Sequence, residues 1–563
     1  MIRKMHLWQR LTLLAIIVFA AITFLTGLNW GLPSRDADTF LFANRLPWTG
    51  QQIMQLAGSW DTQTARGADI AMHPLQGRDQ PVVLNDTDAK RAEIVRRYRL
   101  YSNQPDEMIT FRSLSRMKPA RLDFDPAMYQ YGGLWIYPVG GLLKIGSLLH
   151  LITLRSDLAY YLDHPEAFGR FYIAARFYSA AWGIAGVLVV FFLARQLFNS
   201  FVAAAGAAAI YASMPVVVDL AHEAKPHLAG TVLTLLTVSA ALRYARTGCR
   251  KSCLAAGAFA GLSMGMVLTG YVAFAALPMM SLARPEPWNK RFKVTFVTAL
   301  IGLAIFTLTN PYLPYNILFH RQVLHSNVGN YGTFYKPGFS VAALYMTWRS
   351  LLEGISYGPL ILGLAGVLIC IFQRNRFALI PAAVGAIVLI QFILLAEGKT
   401  AEYARFALTL DVLLAIAAAG AIAELPITAR EKQLACTLLV AGTLFYGIRY
   451  DINFIADNSS HSTRRDSADA IAEATHQSTI LNVYAEPAPY CLPPVDLFHW
   501  QIFLQPRDAK FAPAPAAVGI RTVDYPRLIN PLAPVRASSP ISWANKPFEI
   551  SGPAPVSTPA QQP

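Results

Sequence analysis

Residues 104–107 read Gln-Pro-Asp-Glu, two adjacent carboxylates, Asp106 and Glu107, held behind a proline. A second concentration lies in 216–230, VVVDLAHEAKPHLAG, where Asp219, His222, Glu223, Lys225 and His227 fall within nine residues. A third, EGKTAEYARF at 397–406, sets Arg405 at the mouth of an apolar run. SRDADTF at 34–40, with Asp38, is an accessory to the first. These side-chain types suit one chemistry. A carboxylate can take the proton of an attacking hydroxyl, and Arg and Lys can hold the phosphate left by a departing sugar. A guanidinium contacts two phosphate oxygens at once, which favours Arg405 for that task, with Lys225 and His222 beside it. Each cluster also has a bland reading. Asp and Glu at a loop–helix junction cap helices, a short solvated turn could hold all five groups of 219–227, and an Arg at a span end commonly snorkels.

The elements that must position these groups are membrane helices. The chain has 563 residues, of which 54% are hydrophobic and 15% charged, and its mean hydropathy is positive. Soluble proteins carry about 25% charged residues. Apolar runs long enough to cross a bilayer repeat along the sequence, so the chain reads as an all-α polytopic membrane protein. The net charge of +14 comes from short basic clusters between those runs. That placement fits cytoplasmic retention of Lys and Arg and excludes a nucleic-acid partner. Five cysteines with no paired spacing imply neither a disulfide framework nor a metal site.

Arg3, Lys4 and Arg10 precede the first span at 11–28, which puts the N-terminus inside as a retained anchor. Residues 131–152, YGGLWIYPVGGLLKIGSLLHLI, decide the rest. Counted as a span, they turn every later basic cluster outward; counted as a helix on the membrane surface, they keep them inside. The positive-inside rule selects the surface helix. The remaining spans are then expected at 172–194, 201–219, 227–245, 254–269, 271–283, 294–310, 355–372, 377–396, 406–424 and 434–450, about eleven in all. This divides the chain into residues 1–28, the inner N-terminus and first span; 29–171, a large outer loop carrying the Asp-Glu pair; 172–450, the bundle; and 451–563, a small outer segment ending in a disordered Pro-rich tail. The carboxylates, imidazoles and cations all gather on the outer face, where ionisable groups are costly unless they have a task.

QPDE followed by SRMKPARLDFDPAMYQYGGLWIYP at 115–138 resembles the outer-loop signature of GT-C glycosyltransferases that use lipid-carried sugars. The group includes dolichyl-phosphate-mannose protein mannosyltransferases and the bacterial aminoarabinose transferases. Gln104 stands where that family often has His, while Pro105, Asp106 and Glu107 are kept. Residues 176–198, led by Arg176, resemble the family's arginine-led span. DLAHEAKPHLAG is similar to its second outer loop, with His222 matching the His and His227 standing where an acid is usual. Asp219 or Glu223 would then supply that acid. NPYLPYN at 310–316 resembles its proline-led loop, and YARFALTLDVLLAI a span in which Arg405 is the matching arginine, with Phe406 in place of tyrosine. The resemblance covers about 10–425. It implies inverting displacement on a polyprenyl-phosphate-linked sugar at the outer face. Asp106 is then the base, Glu107 positions it, and Arg405, Lys225 and His222 bind the carrier phosphate. Asp38 and Arg176 stand in reserve, and Tyr129, Tyr131 and Trp135 are expected to stack on sugar or isoprenoid.

A divalent metal is compatible with this chemistry but no spacing requires one. The acceptor class, whether lipid, glycan or protein, stays open, as do the sugar and its anomeric configuration. A bacterial inner membrane, with the C-terminus outside, is the expected location. Two other classes compete: a transporter or flippase, which would show internal repeats and midplane sites, and a lipid-linked oligosaccharide ligase or polymerase, which would not need QPDE after the first span.

Overall fold

Leu7, Leu11, Leu14, Val18 and Ile22 recur at three- and four-residue steps and form one exposed apolar stripe along the helix Leu7–Leu25. Trp288, Phe292, Phe296, Leu300 and Leu303 do the same along Trp288–Thr309. Such stripes are stable facing hydrocarbon and unfavourable facing water. The computed structural model describes residues 5–57, 82–83, 87–321, 338–396, 401–457, 462–484, 492–506, 509–511, 516–522 and 542–552. Residues 322–337 of the third outer loop, 397–400 of the EGKT segment and the tail 553–563 lie outside the described residues.

Among the described residues five helices are long and apolar enough to cross a membrane: Leu7–Leu25, Pro165–Phe198, His227–Thr247, Trp288–Thr309 and Ala404–Glu424. Two bent pairs raise the number to seven. Phe201–Ser213 and Pro215–Ala221 meet at 58°, where Met214 is extended and Pro215 has no amide to continue the ladder. Val341–Ile355 and Tyr357–Phe372 meet at 109° about Ser356, whose φ is +73°. Helices also occupy the other expected ranges, as Arg250–Met266, Leu268–Leu282, Leu379–Leu395 and Ala429–Ala456. Among the described residues five to seven helices thus qualify as crossings by length and composition, and shorter apolar helices occupy further expected ranges. The chain is a multi-pass membrane protein.

The described chain forms two units. One comprises Met1–Leu28, Ile109–Ile145 and Ile173–Ile452, the other Asn29–Met108, Gly146–Tyr172 and Asn453–Pro563. The first is helical and packed through small residues. A Cβ at Gly257 would lie 2.5 Å from the Thr298 carbonyl oxygen, and one at Gly261 2.2 Å from that of Gly302, so helices Arg250–Met266 and Trp288–Thr309 touch backbone to backbone. Close approach of this kind is how membrane helices gain packing energy without a hydrophobic drive.

The second unit corrects the all-α expectation. It holds a five-stranded sheet of β1 (Val82–Val83), β2 (Ile480–Val483), β3 (Gln501–Leu504), β4 (Ala517–Thr522) and β5 (Phe548–Ser551), in the order β1-β3-β2-β4-β5. β2 runs parallel to both β3 and β4, while the outer strands are antiparallel. Leu481 and Val483 point to the buried side of β2, as alternation requires. The helix Asp88–Leu100 starts at Thr87, whose hydroxyl accepts from the Lys90 amide, and carries three buried arginines. Arg96 and Arg97 pair with Glu93, and Arg99 pairs with Asp38.

Candidate active site

Gln104 accepts a hydrogen bond from the Asp106 amide at 3.2 Å through its side-chain oxygen. It thereby caps the short 3-10 turn Pro105–Glu107, with proline in its first turn. Gln104 therefore acts as a structural cap of this turn. Glu107 is fully buried and accepts from the Ser102 hydroxyl, whereas Asp106 is half-buried. Asp38, also in this unit, offers both oxygens to Arg99, at 3.3 and 3.0 Å, and Arg99 donates in addition to the carbonyls of Trp48 and Leu162. Two fork contacts fix this carboxylate as a structural anchor.

In the first unit the sequence Tyr131-Gly132-Gly133 reads as a device for close approach. Gly132 donates to the Met266 carbonyl at 3.0 Å, and Gly133 to the Asn310 side-chain oxygen at 2.8 Å. A Cβ at Gly132 would sit 1.9 Å from the Gly265 oxygen, and one at Gly133 2.0 Å from that of Thr309. Only glycine lets this strand dock there. Docking sets the Tyr131 ring edge-on to His227, with centroids 6.2 Å apart. His227 is the first residue of His227–Thr247 and meets Phe406 edge-on at 5.6 Å; the Arg405 guanidinium lies 5.0 Å from that same ring. His227, Arg405, Gln391, Thr231 and Thr409 line one small cleft of about 30 Å3.

The rest of the 219–227 cluster is buried. Lys225 and Glu223 form an ion pair at 3.3 Å with essentially no exposure. His222 places its two ring nitrogens 2.7 Å from the carbonyls of Val218 and Thr26. Burial lowers the pKa of this imidazole to about 4, opposed by the two carbonyls and assisted by the nearby Arg176 guanidinium. Arg176, itself fully buried, donates to the Leu28 carbonyl at 2.9 Å. Both side chains thus bind main chain. Asp219 is buried within electrostatic reach of Tyr450, whose hydroxyl donates to Glu353 at 2.6 Å beside the Arg449–Glu353 pair at 3.0 Å. Sequence reading missed this Glu353–Arg449–Tyr450 group. Its signal was an acid inside the apolar run VAALYMTWRSLLEGI, where a charge needs a named partner.

The aromatic residues of the first loop are held by protein. Tyr129 donates to Asp125 at 2.8 Å, and Asp125 also accepts from Asn316 at 2.8 Å. Burial and that neighbouring carboxylate raise the phenol's pKa. Trp135 is fully buried and donates its indole N–H to Thr110 at 2.9 Å. Trp135 is therefore a core side chain, with no face left for a ligand to stack on. Among the described residues no three His, Cys, Asp or Glu side chains converge in a metal-ligand group.

The predicted residues thus fall into two sets: Asp38, Asp106 and Glu107 in one unit, and Arg176, Asp219, His222, Glu223, Lys225, His227 and Arg405 in the other. Residues 166–313 match the family model described as dolichyl-phosphate-mannose-protein mannosyltransferase. That stretch contains Arg176 and the whole 219–227 cluster and leaves out Asp106, Glu107 and Arg405. No curated protein sequence matches the chain. Among solved structures the chain is similar to the archaeal oligosaccharyltransferase AglB from Archaeoglobus fulgidus, in complex with an inhibitory peptide and a dolichol-phosphate. The identity is 13% and the TM-score 0.42, over 90% of this chain and 62% of AglB, so the chain spans less than two thirds of that relative. It is also similar to ArnT from Cupriavidus metallidurans in the apo state, at 14% identity and a TM-score of 0.43, covering 82% of this chain and 98% of ArnT. The same ArnT bound to undecaprenyl phosphate gives 13% and 0.41 over the same shares. The resemblance read from the sequence and the family match coincide on one stretch: residues 166–313 are similar to the dolichyl-phosphate-mannose-protein mannosyltransferases.

Proposed function

We propose that the chain is a GT-C-type membrane glycosyltransferase that moves a sugar from a polyprenyl-phosphate carrier to an acceptor hydroxyl at the outer face. The observation that carries this reading is the cleft in which Arg405 and His227 share the Phe406 ring. His227 opens a 21-residue helix, and the amide groups and dipole of such a helix start favour an anion. A carrier phosphate would meet a fork donor and a helix start there, while Lys225, paired with Glu223, stands behind them as a further candidate cation.

In this reading Asp106 accepts the proton of the acceptor hydroxyl while that hydroxyl's oxygen bonds to the anomeric carbon. The bond from that carbon to the phosphate oxygen breaks in the same step, and the electron pair leaves with the phosphate. Attack from the far side inverts the anomeric configuration. Buried Glu107, held by Ser102, orients the turn that carries Asp106.

The same proposal takes the eleven-helix threading, with the N-terminus inside and the C-terminus outside a bacterial inner membrane. The basic clusters between the apolar runs, which this threading keeps on the inner side, support it. The test is to incubate membranes containing the protein with radiolabelled polyprenyl-phosphate sugars. Label should enter a lipid, glycan or protein fraction, and should fail to do so with Asp106→Asn. Transfer that is indifferent to this substitution would overturn the assignment of the base.

A further inference from the structure

Gln391 is the one polar side chain in the apolar helix Leu379–Ala396, and it lines the Arg405 cleft. The reaction above gives it no task. Packed against that helix is Leu268–Ala275, a 3-10 segment of eight residues, where runs beyond three or four are uncommon. Such backbone persists at membrane depth where it is packed in protein or lines a cavity. Here it does both. A Cβ at Gly270 would lie 2.2 Å from the Ser263 carbonyl oxygen, so the segment is pressed onto the end of Arg250–Met266. Three residues per turn align Thr269 with Val272, and both line the cleft.

We propose that Gln391 is a binding residue for the carrier phosphate, its amide N–H groups aimed by Tyr271. The inference rests on the glycosyltransferase reading and adds a neutral donor beside Arg405. Three observations carry it. First, the Tyr271 hydroxyl donates to Gln391 Oε1 at 2.9 Å. With the oxygen taken, the amide has its Nε2 to offer, and that nitrogen has no acceptor among the described residues and is not sealed in the interior. A lone amide in an apolar helix commonly joins helices through a bond like that to Tyr271, but the bond uses only its oxygen.

Second, the polar lining contains donors and no competing acid. Thr231 and Thr409 bond each other at 2.8 Å, and Thr234 donates to the Gly230 carbonyl at 3.0 Å. Among the described residues no carboxylate lines the cleft, and Thr269 and Gln391 stand there with the Arg405 guanidinium. Third, the volume of about 30 Å3 admits one or two water-sized atoms. Phosphate oxygens fit and a sugar ring does not. Ile387 and Leu394, one turn to either side of Gln391, are exposed and give the prenyl chain an apolar path outward.

The experiment measures binding of tritiated undecaprenyl phosphate and of undecaprenol, which lacks only the phosphate, to the full chain in phosphatidylcholine nanodiscs. Gln391→Glu keeps the shape and the oxygen that accepts from Tyr271, but replaces the N–H donors with a second acceptor. It should weaken phosphate binding at least about tenfold and leave undecaprenol binding unchanged, which also shows the variant to be folded. Tyr271→Phe should weaken phosphate binding about threefold, because the amide loses its aim. A bond that only joins helices predicts otherwise: Gln391→Glu then binds phosphate like the parent. That result, or an equal loss for phosphate and alcohol, would overturn the proposal. If Arg405→Ala weakens phosphate binding and Gln391→Glu does not, the proposal fails alone. If the parent chain does not prefer phosphate to alcohol, the donor reading fails and takes the proposal with it. If Asp106→Asn keeps transfer while Gln391→Glu loses phosphate binding, the base assignment fails and Gln391 stands.

Discussion

The side-chain amide of Asn103 donates to Asp457 across 2.9 Å, joining positions 354 residues apart. Ser462 donates to the other carboxyl oxygen at 3.1 Å. The C-terminal segment therefore fixes the strand that leads into Pro105 and Asp106, and the link is made by a buried acid. Burial raises the Asp457 pKa above the usual carboxylate range, and Arg464, Asn103 and Ser462 only partly oppose it. The folded carboxyl thus holds its proton more tightly than the unfolded one. Its contribution is most favourable at low pH, and is lost as pH rises from the ordinary Asp range through the raised folded pKa. Asp457→Asn should abolish this loss, because an amide can keep both contacts without ionising. Thermal unfolding of the second unit followed against pH should fall across that window for the parent and stay flat for the variant. Parallel curves would show that Asp457 ionises freely.

The tight docking of Gly132 offers a matched pair of substitutions. Gly132→Ala sets a Cβ 1.9 Å from a backbone oxygen that cannot swing aside, so the strand must move off the Arg250–Met266 helix end. Overpacking costs about 1–3 kcal/mol, and more where backbone must shift. Tyr131 should leave His227, and donor use should suffer with stability. Gly141→Ala meets nothing within 4 Å in a helix interior and should gain roughly 0.5–1 kcal/mol. Equal thermal shifts for the two variants would contradict the docking geometry.

Tyr131 and Trp135 were legible as parts of a recognisable loop; the docking made by Gly132 and Gly133 between them was not, since Gly265 and Thr309 lie far along the chain. The same separation hid the meeting of His227 with Arg405, 178 positions apart, and its mediator Phe406, which had read only as a departure from tyrosine. Helices were legible wherever about twenty apolar residues ran together, as in Leu7–Leu25. Where Pro215 or Ser356 bends the chain, composition alone could not separate one crossing from two helices. The sheet escaped because its strands are two to six residues long, sit between Pro- and Ala-rich stretches, and include one pairing, Val83 with Phe503, made across hundreds of positions.

Arg405 tests the donor side. Losing a charge-assisted contact of about 1.5–3 kcal/mol should weaken apparent affinity for the carrier-linked sugar roughly ten- to a hundredfold in Arg405→Ala. Arg405→Lys should recover only part of this, since the ammonium lacks the planar fork. His227→Phe keeps an aromatic edge against Phe406 and should affect donor saturation less. Donor saturation unchanged in Arg405→Ala would remove the cleft from the phosphate site.

The threading is checked by impermeant thiol labelling of intact cells in a chain whose native cysteines are replaced. Cysteine at position 103 should label from outside, and cysteines at 250 and 291 only after the membrane is opened. The basic clusters that fixed the orientation include both inner positions. A label entering at 250 from outside would invert the whole bundle and place Lys225 on the wrong side for an outer donor.

Asp106 and Glu107 are adjacent in sequence yet differ in their surroundings. Glu107 is fully buried and accepts from Ser102, while Asp106 is half-buried in a turn whose cap is supplied by Gln104. The cap role is thus already filled by another residue. If Asp106 is the base, Asp106→Asn keeps shape and loses proton affinity, and turnover should fall roughly 10²–10⁴-fold with unfolding unchanged. Glu107→Gln still presents an oxygen to Ser102, so its activity should fall less. Ser102→Ala should resemble a mild form of that variant, since Glu107 then loses one donor but not its charge. A purely structural pair gives the opposite order: Asp106→Asn is nearly silent because Asn and Asp stabilise turns alike, and Glu107→Gln, at the buried position, is the damaging change. Measuring turnover and thermal stability for all three variants therefore separates a base from a brace, and an active Asp106→Asn protein would shift the role to Asp219, since Arg99 already occupies both oxygens of Asp38.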